Sequence, residues 1–197
     1  MTVFPREEVE KAFQHYFKVG IVNEDWVAWS QLFTDDATYH DHFWGTFVGP
    51  KEIEMFLEGT MSAAPQVYSA YHWHNIDGNR VIYQIVNQAD SPVAGEPPMG
   101  FKSLQVLTYA GDGKFSSEED WWVLYDMVRF RNQWNDALER SGDPNFAKGM
   151  SRQSWGDVPD WAKADADHEA APSWVGKGVT PILSMKDMTF GTRTPRA

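Results

Sequence analysis

The sequence contains no cysteine, which removes a disulfide framework, a thiol nucleophile and a zinc–thiolate centre together. It is poor in basic residues, with 17 Lys and Arg against 28 Asp and Glu and a net charge of −11, so a nucleic-acid or anionic-membrane surface is not expected. No apolar run approaches the roughly 18 residues of a membrane span, and no basic segment leads into a leader-like apolar one. The expected location is cytoplasmic. A glycine-rich phosphate loop is missing, as are a Ser-His-Asp arrangement and any internal repeat; Gly111-Asp112-Gly113 is a turn. What the chain has in excess is aromatic rings, with ten Trp, twelve Phe and seven Tyr. Such rings supply core, interface and pocket walls alike.

Taken in order, the chain opens with helical periodicity, passes into strands and returns to a helix. Pro5 suits a first turn, Glu7, Glu8 and Glu10 suit a helix N-terminus, and Val9, Ala12, Phe13, Tyr16 and Phe17 form one apolar stripe up to Gly20. A second helix is predicted over 24–33, with Asn23 as its cap, and a third begins at Gly49-Pro50 and carries Ile53, Phe56 and Leu57 inward. The period then changes to two. Strands are predicted over 67–75, 80–88, 101–109 and 114–123, with turns at Asp77-Gly78-Asn79 and Ala110-Gly111-Asp112-Gly113. Residues 124–141 read as a helix stopped by Gly142-Asp143-Pro144, and a short helix is predicted over 159–171.

The stretch that concentrates chemistry is 32–45. It reads as the end of a helix, a turn at Asp35-Asp36, and a strand in which Tyr39 and Asp41 share one face with Phe43 while His40 and His42 share the other with Trp44. Carboxylate, imidazole and phenol this close together are the groups proton transfer uses. Asp41 and His72 form the expected acid/base pair. Three adjacent acids, Glu118-Glu119-Asp120, follow the Gly-Asp-Gly hairpin, and alternation turns Glu119 opposite to its neighbours, so one side of the strand looks inward. His40-x-His42 and His72-x-His74 place pairs of imidazoles at a spacing that puts both on one face of a strand, which opens a metal reading with Asp41 or Glu119 as the oxygen ligand.

The order Tyr16…Asp25-Trp26…Leu32-Phe33-Thr34-Asp35-Asp36-Ala37, Gly49-Pro50-Lys51-Glu52-Ile53, Tyr71-His72 and Tyr109-Ala110-Gly111-Asp112-Gly113-Lys114…Glu118-Glu119-Asp120 resembles the SnoaL-like branch of the NTF2-like superfamily, over roughly residues 5–140. The resemblance implies one of several activities: dehydratase, ketosteroid isomerase, polyketide cyclase, epoxide hydrolase or carbon–carbon lyase, or a non-enzymatic module. Against scytalone-dehydratase-like members, Tyr39 and His72 match the tyrosine and histidine that help water leave. The aspartate at their first helix junction falls near the hydrophobic Val22. Cyclase-like members place an aspartate base on a later strand, where Glu119 or Asp120 stands here, and ketosteroid isomerase favours Asp41.

The expected fold is therefore α+β: a cone-shaped NTF2-like domain over 1–142, with three N-terminal helices on a strongly curved antiparallel sheet, followed by a C-terminal extension over 143–197 that serves as a lid or a dimer arm. The expected activity is a lyase, a dehydratase or an aldehyde-releasing carbon–carbon lyase, acting on a hydrophobic, aromatic, hydroxylated small molecule. An isomerase, cyclase or epoxide hydrolase is the alternative, and a non-catalytic binding or assembly module the second. Tyr39, Asp41, His72 and Glu119 are the expected catalytic residues, and Trp44, His40, Trp73, His74 and Trp121 the expected substrate contacts. The resemblance implies no cofactor and no metal, and a homodimer is expected through the outer face of the sheet.

Overall fold

A computed structural model describes residues 3–146, 150–165 and 168–192. Helix α1 (Arg6–Tyr16) runs directly into a π-helical turn over Phe17–Val22, so Gly20 does not stop it. A side chain at Gly20 would overlap the Trp29 indole, with a Cβ only 2.0 Å from Cδ1; the glycine is there for close packing. Helix α2 (Trp26–Ser30) is a single turn or so, capped by Asp25, whose carboxylate accepts from the Ala28 N–H at 3.0 Å. Strand β1 (Phe33–Asp41), strand β2 (Gly45–Val48) and helix α3 (Gly49–Ser62) follow, then β3 (Tyr68–Asp77), β4 (Arg80–Ala89), β5 (Met99–Gly111), β6 (Lys114–Trp122) and helix α4 (Leu124–Ser141). Gly142 closes α4 in the left-handed conformation at φ 69°, the usual C-terminal stop.

The six strands form one open sheet in the order β2-β1-β6-β5-β4-β3. This corrects the expected architecture in three respects. The sheet does not close or curl into a strongly curved cone, since β2 and β3 lie at its two edges. It is mixed, because β1 and β6 pair in parallel while the other neighbours are antiparallel. Only α1, the π-turn and α2 precede the sheet; α3 follows β2, and α4, the longest helix described, follows β6. The chain does not turn at Asp35-Asp36 either. Phe33 already pairs with Phe115, and the ladder resumes at Thr38 after an irregular stretch.

Two bulges decide which side chains face the helices. On β6, Thr108 pairs with Ser117 and Tyr109 with Phe115, which leaves Ser116 as an extra residue. Phe115, Glu118 and Asp120 then all face inward, although simple alternation from Phe115 would select Glu119. On β3, Tyr71 pairs with Ile85 and Trp73 with Gln84, so His72 is the extra residue.

The inner face carries the main core: Phe13, Tyr16 and Phe17 of the first helical segment pack with Trp29, Phe33, Tyr83 and Phe115. Burial of such rings is worth roughly 1.5–3 kcal/mol each before entropy is counted. The segment after α4 lies along this core rather than away from it. Trp161 packs on Phe13, Phe17 and Tyr71, Trp155 is buried beside Tyr68, and Thr192 bridges to Thr46 at the β2 edge. The helix predicted over 159–171 is a short 3₁₀ turn at Asp160–Ala162, and part of that range lies outside the described residues. Buried Arg152 donates to both carboxylate oxygens of buried Glu24, at 2.9 and 3.3 Å, and to the Pro65 carbonyl. Among the described residues, no helix is long and apolar enough to cross a membrane.

Candidate active site

Between the sheet and the helices lies a cavity of about 490 Å³. Its walls are largely rings and aliphatic chains: Trp26 and Trp29 from the α2 side, Phe56 and Leu57 from α3, Phe130 and Trp134 from α4, and Ile182 from the C-terminal segment. Gly59 lets that segment approach. Ile182 donates its N–H to the Gly59 carbonyl at 2.9 Å, and a Cβ at Gly59 would come within 2.5 Å of the Ile182 side chain. Gly59 therefore does not end α3 but seats the extension on it.

The polar floor of this cavity is built by parallel register. Tyr39 lies opposite Glu118 and Asp41 opposite Asp120, on neighbouring strands and on the same face. Asp41 is buried and fully engaged: Oδ1 accepts from the Phe43 and Trp44 N–H groups, each at 2.7 Å, and Oδ2 from the Trp122 indole at 2.9 Å. Burial raises its carboxyl above the ordinary aspartate range, and these three donors oppose the rise. Asp120 is only half satisfied. Its Oδ2 accepts a short hydrogen bond from the Tyr39 hydroxyl, while its Oδ1 is sealed from solvent with no N–H or hydroxyl donor among the described residues. The Glu118 carboxyl is the neighbour with which Asp120 can share a proton. Burial pushes the Asp120 carboxyl well up, and the negative groups at Glu118 and Asp41 push it further.

Glu118 completes the acidic cluster. Its two oxygens accept from Tyr16 at 2.6 Å and Tyr83 at 2.8 Å, and burial raises it to about 7 against the effect of those phenols. The two phenol oxygens are 3.0 Å apart, so the polar group is continuous from Tyr39 through both acids to the middle of the core. Tyr16, Tyr39 and Tyr83 are all raised well above the usual phenol range, chiefly by burial, and keep their protons.

Of the site residues singled out from the sequence, Tyr39, Asp41 and Trp44 line this cavity, as does Asp120, one of the two positions matched to the cyclase-like base. Trp44 does so because the chain turns after Asp41, which swings it away from the face of His40 and His42. The bulge sends His72 outward, where its Nδ1–H donates to Gln84 Oε1 at 2.7 Å, and Trp73 is exposed beside it. His74 faces inward under α1 but outside the cavity, donating to Glu10 and accepting from the Tyr71 hydroxyl. The two histidines of that pair are thus on opposite faces. His40, His42, Glu119 and Trp121 gather on the outer face, across the sheet from the acids. Glu118, Asp120 and Tyr83 are cavity-side residues that alternation alone did not select, with Tyr16 behind them; the one available signal was the run of three acids, whose inward members depend on the Ser116 bulge.

A family model described as a SnoaL-like domain matches residues 13–118, more than half of the chain. Among curated proteins nothing matches. Among solved structures, an LEH-like epoxide hydrolase from M. tuberculosis is similar at TM-score 0.53 and 19% identity, over 68% of this chain and 96% of that one. A SnoaL-like polyketide cyclase, so described, from Shewanella denitrificans matches at TM-score 0.52 and 13% identity, over 65% and 99%. A protein with a ketosteroid-isomerase-like fold from Catenulispora acidiphila, in complex with trimethylamine, matches at TM-score 0.50 and 20% identity, over 64% and 92%. At these identities the likeness concerns the fold, and the family match carries the classification: the chain belongs to the SnoaL-like family of the NTF2-like superfamily.

Proposed function

We propose that this chain is an acid/base lyase acting on a hydrophobic, aromatic, hydroxylated small molecule held in the cavity. The observation that carries the reading is the asymmetry of the paired carboxyls: Asp41 has three donors, whereas Asp120 has one and lies against a second acid, Glu118. A carboxylate holding three donors is stable as an anion, whereas a carboxyl set against another acid in a dry site keeps its proton. Two carboxyls in contrasting environments divide acid and base roles between them.

In the dehydration, the Asp41 carboxylate takes a proton from carbon and the C–H electrons form a double bond. The C–O bond breaks, and the Asp120 carboxyl gives its proton to the departing hydroxyl, which leaves as water. Tyr39 holds Asp120 and steadies the charge it acquires. The proton on Asp41 returns to Asp120 before the next turnover. Release of a one-carbon aldehyde from a hydroxymethyl arm differs in that Asp41 takes the hydroxyl proton, the O–H electrons form the aldehyde C=O, the C–C pair passes to the remaining carbon, and that carbon takes the Asp120 proton. The apolar walls supply binding energy and exclude water, and they fit a ring system better than a polar metabolite.

The test is a panel of lignin-derived diols, steroid ketones, polyketides and epoxides with product detection by mass. Products lighter by water or by formaldehyde support the lyase. Products of unchanged mass would assign an isomerase or cyclase, and epoxide hydration a hydrolase. Tight binding without any conversion across the panel would leave a binding module and end the enzymatic reading.

A further inference from the structure

We infer that His40, His42 and Glu119 form a binding site for a divalent transition-metal ion of the zinc type on the outer face of the sheet. Their ligand atoms all lie within 4.8 Å of one another. His40 is in β1 and His42 is the first residue after it, with ring centroids 4.6 Å apart, and Glu119 is the direct register partner of His40 on the parallel strand. Two imidazole nitrogens and one carboxylate oxygen are a donor set that suits zinc and its neighbours and disfavours magnesium or calcium.

The geometry needs little adjustment. Zinc with bonds of about 2.0–2.1 Å holds tetrahedral ligand atoms roughly 3.4 Å apart, so a contraction of up to about 1.4 Å is required. The His42 and Glu119 side chains are 46% and 44% exposed and have room to rotate over a fixed backbone. The third ligand is already oriented: His40 Nδ1 is hydrogen-bonded to Oγ1 of buried Thr46 at 2.8 Å, leaving Nε2 for the ion. Such a partner on the far nitrogen fixes ring and tautomer at metal sites. Trp121 stacks on His42, with centroids 5.2 Å apart and planes 26° off parallel. The net charge of −11 draws cations toward the protein.

The competing account is a surface ion pair, since His42 Nε2–H donates to Glu119 Oε1 at 2.8 Å. Exposed pairs of this kind are worth about 0–1 kcal/mol and give no reason for Thr46 to hold the neighbouring imidazole. Three protein ligands leave the ion an open position toward solvent for water or a small anion. This inference does not depend on what the cavity does.

Isothermal titration of the chelator-stripped full-length protein with Zn²⁺, supported by Co²⁺ absorption, tests it. One equivalent is expected. His40→Ala, His42→Ala and Glu119→Gln should each weaken binding about a hundredfold or more, and Thr46→Val about tenfold. His15→Ala, which removes an exposed histidine on α1, should bind as wild type. Circular dichroism confirms that each variant is folded. The site is overturned if the wild type takes up no zinc, if the three ligand variants keep wild-type affinity, or if His15→Ala loses as much as they do.

Discussion

Both faces of the β1–β6 ribbon carry titratable groups, and the two lead opposite chemical lives. Inward, Tyr39, Asp41, Glu118 and Asp120 face the cavity, and burial raises all three carboxyls. Outward, His40, His42 just after the strand, and Glu119 meet solvent. Residue type does not separate Glu119 from Glu118 and Asp120. Environment does, and environment is assigned by strand parity, which one inserted residue can invert.

Ser116 is that residue, and one further alanine inserted between Ser117 and Glu118 is the strongest way to break the contrast. The insertion would turn Glu119 inward and Glu118 and Asp120 outward, whereas deleting Ser116 removes only the extra residue and leaves Phe115, Glu118 and Asp120 on the inner face. For the insertion we expect a loss of about 3–5 kcal/mol, the scale of a buried charge stripped of its partners, read by urea denaturation. An insertion variant with wild-type stability would show that the inner face does not depend on strand parity.

Asp120→Asn sharpens the contrast without disturbing the backbone. Turnover on the substrate identified from the panel should fall by about 10²-fold or more, while the zinc isotherm stays that of the wild type. Asp41→Asn should lose a comparable factor. Full activity in both would refute the assignment of acid and base. Tyr39→Phe removes the donor to Asp120 and should cost about tenfold in turnover and roughly 1–2 kcal/mol of stability, measured by kinetics and by the same denaturation.

A carboxylate outside the ribbon supplies the pH yardstick. Burial works to raise Asp90, but donors from Ser151, Tyr68 and the Gln153 N–H outweigh it and hold its pKa below the ordinary aspartate value. A depressed native pKa contributes stability that is fully present above the unfolded value of about 3.9 and disappears as pH falls through the native one. The segment around Trp155 should therefore loosen in that acidic window, seen as a change in tryptophan emission. Asp90→Asn should reduce the transition. An unchanged acid profile in that variant would place the effect elsewhere.

Much of the fold was legible because its signals are local. The helix expected over 124–141 occupies Leu124–Ser141, since Gly142-Asp143-Pro144 offers a left-handed stop and then a residue that cannot continue it. The hairpins at Gly78 and Gly111–Gly113 were visible for the same reason. The parallel β1–β6 pair was not, because it joins residues some eighty positions apart with no connecting turn to announce it. Strand β2 was hidden too: four residues beginning at Gly45, whose φ of 116° breaks the apparent run from 32 to 45. For the site, placing Tyr39 and Asp41 together required only alternation along one strand. Choosing among Glu118, Glu119 and Asp120, or deciding where His72 points, required knowing where a bulge falls, and Ser116 and His72 carry no local mark of one.

The Glu24–Arg152 pair has a consequence for how the chain reaches this state. Glu24 holds a left-handed backbone at φ 54°, unfavourable for a residue with a side chain by about 1–2 kcal/mol, and its buried carboxylate is matched by a guanidinium 128 positions later. During synthesis the first helices emerge while that charge has no counterpart. The junction between the π-turn and α2 gains its buried partner only after Arg152 has left the ribosome, so a segment beyond the family-matched core takes part in finishing its earliest part. Contacts of such long sequence separation slow folding.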